Sequence, residues 1–138
     1  MTRALFLLTA LATGLFAQTS ADFAQHFANE YRMVPNVTYL TMGGVDLKLD
    51  VYQKRNVTTP QPTLFFMHGG FWVAGNKESQ ILALLPWMEM GWNVVNVEYR
   101  LGAVAQAPAA LEDVMCAFKF IAAPAQTMAY NIDPNKIV

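Results

Sequence analysis

Residues 63–72 read TLFFMHGGFW, an uninterrupted apolar run followed at once by a histidine, two glycines and two aromatic residues. Such a short apolar run is typical of a strand that is covered on both faces. Open parallel sheets bind ligands at the carboxyl ends of their strands, which is where His68, Gly69 and Gly70 stand. Paired glycines let a ligand approach main-chain N–H groups that no Cβ shields. The segment therefore predicts either an oxyanion hole or a tight strand exit that uses glycine for geometry alone.

On both sides of this segment the chain alternates between strand and helix patterns. Apolar residues at every second position from Val45 to Tyr52 predict a half-buried strand, and Gly43-Gly44 predicts a turn to a hairpin partner at 37–41. Further strands are predicted at 92–99 and from Lys136 onwards.

Two helices are predicted between these strands. The first covers residues 81–88, and Pro86 is expected to break or kink it. The second is entered through Pro108 as a first-turn residue. Its apolar stripe consists of Leu111, Val114, Met115, Phe118 and Ile121. An antiparallel pair followed by strands and crossover helices in alternation predicts an α/β fold with a parallel sheet.

The composition suits one small globular domain, with 138 residues, 54% of them hydrophobic and 14% charged. A formal net charge of -1 and the lack of any Lys or Arg run give no reason to expect a nucleic-acid partner. The single cysteine, Cys116, leaves no internal disulfide, and no Cys/His cluster has the spacing of a metal site. Gly70 and Gly75 have the gap of a phosphate-binding loop, but Asn76 stands where that loop needs Lys, and a dinucleotide-binding glycine pattern is missing. We therefore expect no metal and no cofactor.

The N-terminal segment has the pattern of a secretory signal peptide. A basic start at Arg3 precedes an uncharged apolar run over residues 4–16, and Ala17 is the expected cleavage position. The alternative, a transmembrane anchor, needs roughly 20 apolar residues, more than this run provides. The expected organisation is a signal peptide at 1–17 and one domain at 18–138, secreted or periplasmic, without a stable membrane span after cleavage.

Six motifs in order along the chain resemble one family. They are VTY at 37–39, GVDLKLDVY at 44–52, HGGFWVAGNK at 68–77, VEYRL at 97–101, PAALEDV at 108–114 and DPNKIV at 133–138. Together they resemble the α/β-hydrolase esterases of the hormone-sensitive-lipase and feruloyl-esterase-like (BD-FAE-like) type. The resemblance covers nearly the whole of residues 18–138 and implies an α/β-hydrolase fold.

The resemblance also implies the chemistry of the HGGFW loop. Esterases of this type use the backbone N–H groups of such a loop as an oxyanion hole, which implies Gly70 and Phe71 as the donors here. His68 and Gly69 would shape the loop, and Phe71 with Trp72 would line the substrate pocket. Phe71 stands where many members carry a third glycine, and related formamidases with an HGG-aromatic-Trp loop look similar. The implied partner is a small-molecule ester.

The catalytic triad of the family has no counterpart in residues 1–138. The family places its serine in a Gly-x-Ser-x-Gly turn, followed later by Asp and His, and these residues contain no such turn. The expectation is the N-terminal part of a secreted serine hydrolase that cleaves carboxylic esters through an acyl-enzyme, truncated before the nucleophile turn and inactive alone. The alternatives are a non-catalytic α/β-hydrolase-like binding protein and, within enzymes, an aryl-formamidase or a serine peptidase.

We expect the reading frame beyond Val138 to encode Gly-x-Ser-x-Gly within about ten residues, because the strand opened at Ile137-Val138 would deliver the nucleophile at its carboxyl end. Sequencing the intact gene past Val138 checks this. A stop codon at that point, or a turn without serine, would contradict the esterase interpretation.

Overall fold

The computed structural model describes residue 22 and residues 24–138. The predicted signal peptide at 1–17 lies outside the described residues. The chain divides into two compact units, Met1–Tyr31 and Arg32–Val138. In the first unit, residues 24–30 are helical and form α1.

The second unit is built on a five-stranded sheet with the strand order β1-β2-β4-β3-β5. The strands are β1 at Tyr31–Met42, β2 at Val45–Lys54, β3 at Gln61–Met67, β4 at Asn93–Val97 and β5 at Ile132–Ile137. The helices are a 3-10 helix at Lys77–Gln80, α2 at Ile81–Glu89, α3 at Ala109–Ala122 and α4 at Pro124–Ala129. β2 pairs with β4 antiparallel, whereas β3 pairs with both β4 and β5 parallel.

The predicted hairpin is present, and its first strand is longer than expected. β1 and β2 are neighbours in the sheet and are joined by Gly43 and Gly44 alone, so the two strands run antiparallel. Both glycines have positive φ, +61 and +78 degrees, as the two central positions of a type I′ turn require. An antiparallel pair followed by parallel strands with crossover helices is the predicted arrangement, and it is confirmed.

The hydrophobic core lies between α3 and one face of the sheet. The odd-numbered residues of β2 and β4 point to this face, because successive side chains of a strand alternate between its two faces. They pack against Ala117 and Ile121 of α3. The sheet residues of this cluster are Tyr39, Leu47, Leu49, Val51, Val95, Val97 and Ile132.

The prediction that β2 is half-buried is wrong. The alternation implies that Asp50 and Tyr52 face solvent, yet both are buried, while Val45 is exposed at the start of the strand. The second face of the sheet is covered too, because the side chain of Lys77 packs against it and reaches Asp50. The central part of β2 is therefore enclosed on both sides.

The predicted apolar stripe of α3 is only partly buried. Val114 and Ile121 lie in the interior, but Leu111, Met115 and Phe118 are exposed. Ala109, Asp113 and Ala117 occupy the buried side instead. The reason is an ion pair: Asp113 receives two hydrogen bonds from the Arg100 guanidinium, at 2.8 and 2.7 Å, which turns this edge of the helix inward.

Three further details of the helices and strands differ from expectation. α2 continues through Pro86 without a break, and Pro86 is exposed. α3 begins at Ala109, and Pro108 precedes it as the N-cap. β5 begins at Ile132 rather than at Lys136. Pro134 is tolerated within it because β5 is the last strand of the sheet order, where the missing N–H of proline removes no hydrogen bond between strands.

Within the described residues, no helix is long and apolar enough to span a bilayer.

Tyr39 connects β1 to the end of β4. Its hydroxyl donates a hydrogen bond of 2.8 Å to the carbonyl oxygen of Glu98, and its side chain is buried. Burial raises the pKa of the Tyr39 phenol, with smaller contributions from the charges of Asp113 and other nearby groups. The neutral phenol is therefore the form that the folded protein stabilises.

This raised pKa predicts a loss of stability at alkaline pH. Below about pH 10 the phenol is neutral in the folded and unfolded states, but above it only the unfolded chain ionises. The free energy of unfolding then falls by about 1.4 kcal/mol per pH unit for this group. Tyr39→Phe should make the slope between about pH 10 and 12 shallower by that amount, measured by urea unfolding of the full-length protein. An unchanged slope would contradict the burial of the phenol.

Candidate active site

The loop from His68 to Lys77, here the site loop, leaves the carboxyl end of β3 in a tight turn. Gly70 has a φ of +131 degrees, and Phe71 and Trp72 follow with φ of +54 and +66 degrees, all in the region that glycine favours. The N–H groups of Val73 and Ala74 both donate to the carbonyl oxygen of Gly70, at 3.0 and 3.1 Å. A Cβ on residue 70 would collide with the carbonyl oxygen of Ala74, so the turn requires glycine there.

The backbone N–H groups of Gly70 and Phe71 are open. Among the residues that the structure describes, neither group has a hydrogen-bond acceptor. Both residues line a cleft of about 480 Å³, together with His68, Gly69, Trp72 and Tyr99. Phe71 is 94% exposed, so little of the protein packs against it. Two adjacent donors without acceptors are an arrangement that can bind a developing negative charge.

Trp72 forms a wall of this cleft and of a second, apolar cavity. Its ring meets Tyr99 edge-on at a centroid distance of 5.4 Å, and its carbonyl oxygen accepts the Gly102 N–H at 2.7 Å. The second cavity has a volume of about 320 Å³. Its lining consists of Trp72, Arg100, Gly102, Ala105, Ala107, Pro108, Ala110 and Leu111.

His68 is buried behind the turn and is held on three sides. Its Nδ1 lies 2.9 Å from the carbonyl oxygen of Gly69, and its Nε2 lies 3.3 Å from Oε1 of Glu98. The ring stacks on Tyr99 with centroids 4.3 Å apart. The Tyr99 hydroxyl donates to the carbonyl oxygen of His68 at 2.6 Å, and burial raises the pKa of that phenol. These contacts fix the first residue of the site loop.

The far end of the loop is fixed at Lys77. Its backbone N–H donates to Oε2 of Glu98 at 2.8 Å, and its carbonyl oxygen accepts from the side-chain amide of Asn96 at 2.7 Å. The ammonium group is buried and donates to both carboxylate oxygens of Asp50, at 2.9 and 2.8 Å, and to Glu78 at 2.7 Å. Burial alone would lower the pKa of Lys77, but the hydrogen bonds to Asp50 and Glu78 outweigh it and raise the pKa. Lys77 therefore stays charged inside the protein.

The structure brings the five predicted site residues, His68 to Trp72, into one cleft. The residues that hold the loop in place, Asp50, Lys77, Glu98 and Tyr99, received no role from the sequence. A usable signal was present, because Glu98 and Tyr99 follow β4, the parallel neighbour of β3. Side chains at the carboxyl ends of adjacent parallel strands meet at one edge of the sheet.

Within the described part of the chain, no cluster of three His, Cys, Asp or Glu side chains could hold a metal ion.

Comparisons with known proteins agree on one family. The BD-FAE family model matches residues 49–138. Lipase 2 of Moraxella sp. (strain TA144) is 30% identical over 107 residues, which cover 73% of this chain and 24% of the lipase. Versiconal hemiacetal acetate esterase of Dothistroma septosporum is 34% identical over 99 residues, 70% of this chain and 30% of the esterase. The chain thus spans about a quarter to a third of the length of these curated relatives.

Solved structures support the fold. A bacterial heroin esterase superposes with a TM-score of 0.64 at 26% sequence identity, covering 88% of this chain and 39% of that one. The mixed sheet with its flanking helices matches the α/β-hydrolase fold of this neighbour over the aligned part. The predicted fold class is confirmed.

Gly75 provides a test of how tightly the site loop is packed. Its φ is +99 degrees, and a Cβ there would lie 2.5 Å from the Gly69 carbonyl oxygen and 2.6 Å from Nδ1 of His68. Gly75→Ala should therefore displace the His68 ring and lower the free energy of unfolding by about 1–3 kcal/mol. Urea unfolding of the full-length protein measures the change.

Gly102→Ala is the matched control for this experiment. A Cβ at Gly102 would lie 3.5 Å from the Trp72 carbonyl oxygen and 3.6 Å from a methyl of Val73, which is ordinary contact. This variant should be close to wild type in stability. Equal stability of the Gly75 and Gly102 variants would show that the loop yields easily and would contradict the packing described above.

Proposed function

Because the chain belongs to the BD-FAE family, we propose that it is the N-terminal part of a serine hydrolase that cleaves carboxylic esters of small molecules through an acyl-enzyme. The observation that carries the proposal is the pair of open backbone N–H groups at Gly70 and Phe71, at the carboxyl end of a parallel strand. They would bind the oxygen of the ester carbonyl as it becomes negatively charged.

The chemistry needs donors that are in place before the reaction. When a serine attacks the ester carbonyl, negative charge moves to the carbonyl oxygen, and two N–H groups at hydrogen-bond distance stabilise the tetrahedral intermediate. Donors that need no rearrangement act most strongly, because the cost of orienting them is met during folding. The hydrogen bonds from Val73 and Ala74 to the Gly70 carbonyl support this proposal, since they hold the turn in one conformation.

We propose that the serine nucleophile and the histidine that transfers its proton correspond to the region of the relatives that residues 1–138 do not cover. His68 is a poor candidate for a general base, because its ring is buried and both of its nitrogens already contact oxygen atoms of the protein. Its contacts support the role of shaping the loop around Gly69. The predicted signal at residues 1–17 supports export of the enzyme.

The apolar cavity beside Trp72 supports a substrate with a small apolar group. Trp72 separates this cavity from the cleft that contains Gly70 and Phe71, so an ester carbonyl bound in the cleft would place one substituent against the indole. Leu111 and Pro108, which also line this cavity, offer apolar contacts to that substituent. The relatives described above, a lipase and an acetate esterase, are consistent with ester substrates.

Two variants of the full-length enzyme test the oxyanion role. Gly70→Val adds a side chain that collides with the Ala74 carbonyl and disfavours the positive φ of this residue. It should therefore lower kcat on a short-chain aryl ester by a factor of about 10²–10³, which is the effect expected when one oxyanion donor is lost. Phe71→Ala keeps the backbone N–H and should change substrate preference more than kcat. Circular dichroism checks that both variants are folded. A folded Gly70→Val enzyme with near wild-type kcat would make the glycine pair a structural turn only.

A further inference from the structure

Asn96 stands near the carboxyl end of β4, and its side chain points away from the hydrophobic core. Val95 and Val97 on either side of it belong to the core cluster, so the alternation along the strand turns Asn96 to the second face of the sheet. Its neighbour in register is Asp50 on β2. Asn96 has no exposed surface. A polar amide is thus enclosed at a strand position where an apolar side chain would be the usual choice.

Only one end of this amide has a hydrogen-bond partner. Nδ2 donates to the carbonyl oxygen of Lys77 at 2.7 Å. Oδ1, in contrast, is the one buried side-chain oxygen or nitrogen atom of the described residues that has no hydrogen-bond partner among them. A buried acceptor without a donor lowers the stability of a protein. The reason for an amide at this position must therefore lie in its other end, the contact with Lys77.

Lys77 ends the site loop, and both polar groups of its backbone are held by side chains that belong to β4 or follow it. Its N–H donates to Glu98 at 2.8 Å, and its carbonyl oxygen accepts from Asn96. Asn96 and Glu98 stand two positions apart along the chain and reach the same residue. The two contacts therefore fix the position and the tilt of the Lys77 backbone against the sheet.

Gly75 connects this anchor to the open N–H groups. Its backbone packs so closely on the first half of the loop that an added Cβ would lie 2.5 Å from the Gly69 carbonyl oxygen. That carbonyl and the Gly70 N–H belong to one planar peptide group, so they move together. Gly75 is itself only two residues from Lys77. A shift of Lys77 therefore moves the peptide that carries the first open donor.

We propose that Asn96 is a positioning residue for the open N–H groups of Gly70 and Phe71. Its amide anchors Lys77, and the contact between Gly75 and the Gly69–Gly70 peptide transmits the position of that anchor. The unpartnered oxygen is the loss of stability that accompanies this role. The effect on catalysis rests on the ester hydrolysis proposed above, whereas the effect on the position of the two N–H groups does not depend on it.

Asn96→Leu in the full-length protein tests the role. Leucine is close to asparagine in size and shape, but it removes both the donor and the unpartnered oxygen. Since the Lys77 carbonyl loses a donor while an unsatisfied atom disappears, we expect a free energy of unfolding close to that of the wild type, measured by urea unfolding.

The position of the donors should change even though the stability does not. In nuclear magnetic resonance spectra of Asn96→Leu, we expect the backbone N–H signals of Gly70 and Phe71 to shift. On a short-chain aryl ester we expect kcat to fall about tenfold with KM little changed, because a small misplacement of catalytic groups slows the reaction.

Asn93→Leu is the matched control on the same strand. Asn93 is as fully buried as Asn96, but both ends of its amide have partners. The nitrogen donates to the carbonyl oxygens of Tyr130 and Asn131, and the oxygen accepts the Lys54 N–H at 2.8 Å. Asn93 begins β4, at the end of the strand that is remote from the site loop. This variant should lose stability and keep both the donor signals and kcat.

Two outcomes would overturn the proposal. One is a folded Asn96→Leu protein in which the Gly70 and Phe71 signals do not move. The other is shifted signals together with a wild-type kcat on an ester that the wild-type enzyme hydrolyses. If the wild type hydrolyses no ester, the proposed function fails, and the two signals alone decide the positioning role.

A measurement on the wild-type protein covers the case in which Asn96→Leu does not fold. The side-chain amide protons of Asn96 should exchange with solvent much more slowly than those of Asn135, which is exposed. Equally fast exchange of the two side chains would show that Asn96 does not hold Lys77 and would overturn the proposal.

Discussion

The buried ion pair between Lys77 and Asp50 fixes the path of the chain around the candidate site. Removing an ammonium and a carboxylate from water costs several kcal/mol per ion, so the pair is tolerated only when the remaining hydrogen bonds are made. Here Asp50 accepts two bonds from Lys77 and one from the Asn36 backbone, and Lys77 also donates to Glu78. Any other return path for the loop would leave one of these charges buried without a partner. The Lys77–Asp50 pair, at the end of the site loop, therefore determines the conformation of the turn that carries the open N–H groups.

Local patterns in the sequence were sufficient for the strand before the loop, the hairpin and the parallel arrangement. The apolar run at 63–67 and the turn at Gly43-Gly44 each carry their signal within a few residues. The burial of Asp50 carries no such signal, because an acidic residue at an alternate position of a strand is the usual mark of a solvent-facing side. The residue that covers it, Lys77, is 27 positions away in the chain. Only the tertiary structure brings the two together.

The same limit explains the apolar stripe of α3. Counting apolar residues at helical spacing treats each of them as core, but the rotation of the helix is set by Arg100 and Asp113, a polar pair that the count ignores. With that rotation, Leu111 lines the apolar cavity beside Trp72 and does not enter the core. An exposed leucine in this position is part of a concave surface, where apolar side chains suit ligands. The departure from the expected pattern thus lies at the proposed substrate site.

Three consecutive residues after β4 each secure a different partner: Glu98 binds both ends of the site loop, Tyr99 binds His68, and Arg100 binds Asp113 on α3. Their partners are separated from them by 13 to 31 positions, and Tyr39 reaches Glu98 across 59. Contacts of such separation form only after the intervening chain has been brought together, which makes them slow steps of folding. The loop can take its final conformation only once β4 has entered the sheet between β2 and β3. The two open N–H donors of Gly70 and Phe71 are therefore expected to form only after the sheet that supports them.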